Sequence, residues 1–69
     1  MKFDVYGRFQ IEIVREGAQW VAYRLDLGKR MKVNVVIPQE IQTSEEIARY
    51  LDDLYHEAAG PGESVSPVL

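Results

Sequence analysis

The chain has 69 residues, among them 8 Lys or Arg, 11 Asp or Glu, one His, one Trp and no Cys, and its formal net charge is −3. This length limits it to one small domain whose core supplies only about 3–5 kcal/mol, so few residues are free to build a deep active site. The lack of Cys excludes disulfides and thiolate chemistry and fits a cytoplasmic location, while the apolar runs are too short for a transmembrane helix.

The first segment, residues 2–13, alternates almost without error between apolar odd positions and polar even positions. This period of two predicts one long strand with a buried face and an exposed face. Gly7 takes an odd position where a core side chain is expected, so we expect a bulge or bend there. The turn signal Glu16-Gly17-Ala18 follows, and a second strand is expected over residues 19–26 with its odd-numbered side chains buried.

A third strand is expected from Arg30 to Ile37, after a turn at residues 26–29. Its odd-numbered side chains are apolar and share one face, and Pro38 ends the strand because it lacks an N–H. Short connections that contain Gly favour antiparallel hairpins, so the three strands are expected to form a meander. The first strand then lies at an edge, where it is free to pair with a strand of a partner.

The period changes to that of a helix after Pro38. Thr43 and Glu46 have the spacing of a capping box, and apolar residues then recur at helical intervals. Gly60 is placed for a left-handed residue after the helix, and Pro61 prevents its continuation. The sequence therefore predicts a helix over residues 44–59, followed by a flexible tail over residues 61–69.

Together these elements predict an α+β domain over residues 1–60, in which a three-stranded antiparallel β-meander packs on one C-terminal α-helix. The opposite face of the sheet is then open and carries aromatic and basic side chains. This composition is typical of protein-interface anchors and also of platforms that stack single-stranded nucleic acid. It also fits ordinary cross-strand pairs on a solvated sheet. The candidate binding residues are Tyr6, Arg8, Trp20, Arg24, Arg30 and Lys32.

Charge is divided unevenly along the chain. Residues 1–38 hold seven Lys or Arg against four acids, whereas residues 39–69 hold one Arg against seven acids. A positive sheet and a negative helix side are therefore expected. The net acidic chain argues against a dedicated binder of duplex DNA.

The sequence offers little for catalysis. His56 is the only His and lacks the second His that a zinc-binding helix needs four residues away. Asp52 and His56 share a helical face and are expected to pair, but there is no Cys and no Ser is placed as a nucleophile. The sequence therefore predicts no enzyme, no metal site and no cofactor.

Two families are similar in outline. Three strands and a C-terminal helix resemble the MbtH-like proteins that assist adenylation domains of peptide synthetases, with similar residues in the order Phe9, Glu16-Gly17, Gln19, Ser44, Ala48, Tyr50 and Leu51. The hallmark Ser-x-Trp-Pro and Pro-x-Gly-Trp motifs of that family are absent. The small HicB-like antitoxins are similar through Trp20-Val21-Ala22 and Ser44-Glu45-Glu46. Both resemblances imply an accessory protein.

The function expected from the sequence is that of a non-catalytic bacterial accessory module. It binds a protein partner or a second copy of itself through the exposed sheet face or an edge strand, and no membrane is involved. The alternative is a nucleic-acid-binding module that uses the basic and aromatic side chains of the same face.

Overall fold

Five antiparallel strands and one α-helix form the computed structural model, which describes residues 1–68. The strands lie in the order β4-β3-β2-β1-β5 within a single sheet. The α+β class is as expected, but the predicted three-stranded meander is wrong. The elements are β1 Lys2–Val5, β2 Phe9–Glu16, β3 Gln19–Asp26, β4 Lys29–Val33, α1 Ser44–Tyr55 and β5 Val65–Val68.

The predicted first strand is a hairpin. Tyr6 and Gly7 have φ angles of 58° and 70°, and the N–H of Arg8 donates to the carbonyl of Val5 at 3.0 Å. Two consecutive residues with positive φ reverse the chain in a primed turn, so Gly7 makes a complete reversal rather than a bend. Val5 pairs with Phe9, and odd positions before and after the turn therefore share a face. This is why the alternation runs unbroken through the turn.

The middle strand β3 has the opposite orientation to the predicted one. A loop of two residues joins β2 to β3, so Glu16 pairs with Gln19 and Ile13 pairs with Ala22. Odd residues of β2 therefore share the helix side of the sheet with even residues of β3, which includes Trp20. Ala22 is only 1% exposed there, whereas Tyr23 lies on the outer face, the one turned away from the helix.

The strand β4 ends four residues earlier than predicted. Beyond Val33 the chain makes a three-residue turn, in which the N–H of Val35 donates to the carbonyl of Val33 at 2.9 Å. The chain then crosses to the helix side, where Ile37 is buried in the core. The hydroxyl of Tyr50 donates to the carbonyl of Val36 at 2.6 Å and holds this segment in place.

The helix begins as the sequence predicts, because the Thr43 side chain accepts a hydrogen bond from the N–H of Glu46 at 3.2 Å. The Glu46 carboxylate in turn accepts from the Thr43 hydroxyl at 2.9 Å. The α-helix ends at Tyr55 rather than at residue 59, and a 3-10 turn over His56–Ala58 continues it. The chain changes direction at Ala59, which has an extended backbone. The prediction that Gly60 is left-handed is wrong, because its φ angle is not positive.

Residues 65–68 of the predicted flexible tail form the strand β5, which pairs with β1. That part of the prediction is wrong, and Leu69 lies outside the described residues. The polar groups on the second edge of β1 need partners, and β5 provides them. The strand β1 is consequently interior, so the expectation that it lies at an edge is also wrong; β4 and β5 are the edges.

The core lies between the helix and its side of the sheet. Complete burial of an aliphatic or aromatic side chain contributes about 1.5–3 kcal/mol, so a few such residues supply most of the stability of this small domain. Tyr6 joins the core at the hairpin turn, where its hydroxyl donates to Asp52 Oδ1 at 2.6 Å. The most deeply buried side chains are Phe3, Val5, Ile11, Ile13, Ala22, Ile47 and Leu51.

The pairing of β5 with β1 predicts a position-specific effect of proline. The N–H of Tyr6 donates to the carbonyl of Ser64, so even-numbered residues of β5 direct their backbone groups toward β1. Ser66→Pro removes an inward N–H and is expected to lower the free energy of unfolding by at least about 1 kcal/mol. Urea unfolding followed by circular dichroism measures this change. Ser66→Ala is the control, and equal stability of the two variants would contradict a paired β5.

The burial of Tyr6 predicts a loss of stability at alkaline pH. Burial and the hydrogen bond to Asp52 raise the pKa of Tyr6 from near 10 to about 12. The unfolded chain loses this proton first, so stability is complete below pH 10 and falls as the pH rises from about 10 to 12. Urea unfolding across that range should show a shallower decline for Tyr6→Phe than for the native chain. The pKa of Tyr23 is also raised, so the Tyr23→Phe variant measures the part of the decline that is due to this second tyrosine. A decline in Tyr6→Phe as steep as that of the native chain would contradict the assignment to Tyr6.

Candidate functional site

The six candidate binding residues do not lie on one surface. Trp20 and Arg24 lie on the helix side of β3, whereas Arg30 and Lys32 lie on the outer face of β4. The remaining two, Tyr6 and Arg8, belong to the β1–β2 turn. The structure therefore brings the candidates together in pairs, and their role in binding stays a prediction.

Tyr6 and Arg8 connect the β1–β2 turn to the C-terminal part of the chain. Tyr6 is buried against Asp52, as described above. Arg8 donates to the carbonyl of Ala58 and forms an ion pair with Glu63 at 2.9 Å. Both side chains hold the turn to the helix end and to the segment that leads into β5. Asp52 therefore accepts from Tyr6 instead of pairing with His56 as expected.

Three arginines lie over aromatic rings at distances typical of cation–π contacts. The Arg24 guanidinium is 4.2 Å from the centroid of Phe9, and that of Arg30 is 3.9 Å from the centroid of Tyr23. The third, Arg15, is 4.8 Å from the centroid of Trp20. Of the two aromatic candidates for a stacking platform, Trp20 is thus already in contact with a cation of this chain, and Tyr6 is buried.

The outer-face cluster around Tyr23 contains both charge signs. Arg30 forms an ion pair with Glu12 at 3.0 Å, and the hydroxyl of Tyr23 donates to Glu16 at 2.6 Å. This hydrogen bond, more than burial, raises the pKa of Tyr23. The cluster neutralises much of the charge of Arg30, whereas Lys29 and Lys32 on the same edge strand have no ion-pair partner in residues 1–68.

A half-open groove of about 540 Å³ lies where β4 separates from β3. We call it the Trp20 groove, and residues 19–22 and 32–39 line it. Val21 is buried at its floor, and Val36 at its rim is 81% exposed. The volume falls within the range of about 300–1,000 Å³ that is typical of ligand sites, and the lining is mainly apolar.

The side chain of Trp20 supports the groove rather than projecting from it. Its Nε1–H donates to the carbonyl of Ile41 at 3.0 Å, and the ring packs against the core with Arg15 over it. A buried indole N–H with a partner is a structural feature in most proteins. The ring of Trp20 is therefore already engaged in contacts within the chain. Binding in this groove is expected to involve groups other than that ring.

The backbone of Trp20 is the unsatisfied part of the groove. Asp26 and Lys29 close the two-residue β3–β4 loop, so even residues of β3 direct their N–H and C=O toward β4. The ladder stops at Ala22 and Val33, and the next partner of Trp20 would be Val35. Because Val35 donates to Val33 instead, no hydrogen bond from the described part of the chain reaches these two groups of Trp20.

Sequence reasoning missed the groove because it assigned residues 34–37 to a strand. Two signals point the other way: Asn34 is a residue type depleted in strands, and Pro38 is unable to pair in one. Neither signal predicts that the chain crosses to the helix side, which depends on the contact of Tyr50 with Val36.

Comparisons with known proteins identify a family but no activity. None of the helices in residues 1–68 has the length and apolarity needed to span a bilayer. No curated protein and no solved structure matches the chain. A family model described as a domain of unknown function, DUF7661, matches residues 1–68, and the chain therefore belongs to the DUF7661 family.

Proposed function

We propose that this protein is a non-catalytic binding module that holds an extended segment of a partner protein in the Trp20 groove. One observation carries the proposal: the backbone N–H and C=O of Trp20 face the groove without a partner from the described chain. An unpaired donor and acceptor beside an interrupted ladder are the groups to which an added strand binds.

The chemistry of the groove favours a short apolar segment. Its walls include Val35 and Ile37, and a ligand that fills the groove covers the exposed side chain of Val36. Removal of this apolar surface from water contributes about 25 cal/mol for each Å², and the backbone pair at Trp20 fixes the direction and register of the ligand. The bound segment is thus expected to lie beside β3, in the position that β4 would take if it continued beyond Val33.

The alternative of a nucleic-acid platform has less support. The ring of Trp20 is engaged by Arg15 and the core, and Arg30 and Lys32 lie on the other face of the sheet from Trp20. A stacking platform requires aromatic faces and cations on one surface. An accessory role like that of MbtH-like or HicB-like proteins stays a prediction from the sequence.

Peptide selection tests the groove directly. Random peptides displayed on phage are selected on the native protein, and the dissociation constants of enriched peptides are measured against two matched variants. Val36→Asp places a charge at the groove rim and is expected to weaken binding at least about tenfold, or about 1.4 kcal/mol. Leu27→Asp changes an even more exposed apolar residue, in the β3–β4 turn, and is expected to leave the affinity within about twofold.

The amide of Trp20 gives an independent measurement. In the complex its hydrogen exchange should slow and its NMR chemical shift should move, because the bound segment accepts its hydrogen bond. Failure to enrich any peptide, equal weakening by both variants, or an unchanged Trp20 amide in the complex would each contradict the proposal.

A further inference from the structure

We infer that the free edge of β4 is a second binding surface, and that it accepts an extended acidic segment of a protein by strand addition. This surface adjoins the Trp20 groove, whose lining includes Lys32, but it faces another direction: the groove continues the line of β4, whereas the edge faces away from β3. The inference does not depend on the function proposed for the groove.

The opposite edge of the sheet is closed to further strands. Even-numbered residues of β5 face β1, so Pro67 occupies a position whose backbone points outward. Proline has no N–H to donate at that position, and a proline on an edge strand is a common protection against unwanted pairing. Of the two edges in the described chain, strand addition at β5 is therefore disfavoured.

The edge of β4 has no such block. Lys29, Met31 and Val33 pair with β3 through the hydrogen-bonded positions of the ladder, so the backbones of Arg30 and Lys32 point outward. Each offers one N–H and one C=O, and their spacing of two residues is that of a strand. A segment alongside β4 is thus able to continue the antiparallel ladder over most of its length.

Charge selects what binds at this edge. Three of the five residues of β4 are cations, Lys29, Arg30 and Lys32, and no ion pair to either lysine is observed within residues 1–68. Two copies of β4 placed side by side would bring like charges opposite each other, which is destabilising, whereas acidic residues opposite these cations are stabilising. The edge therefore rejects a second copy and favours an acidic partner.

The two faces of β4 define the pattern of that partner. Arg30 and Lys32 project on the outer face, and Met31, which is 50% exposed, projects between them on the helix side. Cross-strand neighbours share a face, so the matching segment alternates acidic residues with apolar ones. The partner class is an extended segment of the type Glu-Val-Glu.

The test uses a synthetic peptide of about seven residues, the length of an ordinary strand, that alternates Glu with Val. We expect saturable binding that slows exchange of the Arg30 and Lys32 amides and weakens as salt is added. Lys32→Glu should weaken binding at least about tenfold. Lys2→Glu makes the same charge change on the outer face of the interior strand β1, and should alter the affinity less than about twofold.

Two control peptides separate strand addition from charge attraction. A peptide that alternates Lys with Val should not bind, and a Glu-Val peptide with a central Pro should bind at least about tenfold more weakly, because it lacks one N–H. Equal binding of either control, equal weakening by Lys32→Glu and Lys2→Glu, or no binding of the Glu-Val peptide would overturn the inference. The last result would leave the cations of β4 with a protective role only.

Discussion

The two-residue loops on either side of β3 are the constraint on which this structure depends. A loop of that length pairs residues of opposite parity, so the even side chains of β3 share a face with the odd side chains of β2 and β4. This register carries Trp20 and Ala22 to the helix side and turns Tyr23 to the outer face. The core continues from the helix to β3 at Ala22, which is buried between its cross-strand partners Ile13 and Val33.

The two edges of the sheet differ in how open they are to an added segment. At the β5 side, the ion pair of Arg8 with Glu63 and the outward position of Pro67 close the sheet. At the β4 side, the early exit of the chain after Val33 opens the Trp20 groove, and the edge of β4 stays unpaired within the described residues. The helix α1 packs on β1 and β5, whereas β4 forms the opposite edge of the sheet.

Local signals in the sequence located several elements correctly. The bounds of β3 at residues 19–26, the cap at Thr43 and the helix start at Ser44 each depend on neighbouring residues alone, and the structure confirms them. Of the candidate site residues, Trp20 and Lys32 do line the groove, but Tyr6 and Arg8 are engaged in internal contacts. Residue type alone indicates which side chains are able to bind a partner, while the contacts that already occupy them come from distant parts of the chain.

The sequence by itself determined the β-rich first half, the turns and the capped helix, because each follows from the conformational preferences of a few adjacent residues. Only the tertiary structure decided that residues 65–68 form a strand, since a short segment with Ser and Pro pairs when another strand offers free backbone groups. It likewise decided the exit of the chain at Asn34, which depends on Tyr50 reaching the carbonyl of Val36. The groove beside Trp20 exists because these long-range contacts outweigh the preference of residues 34–37 for a strand.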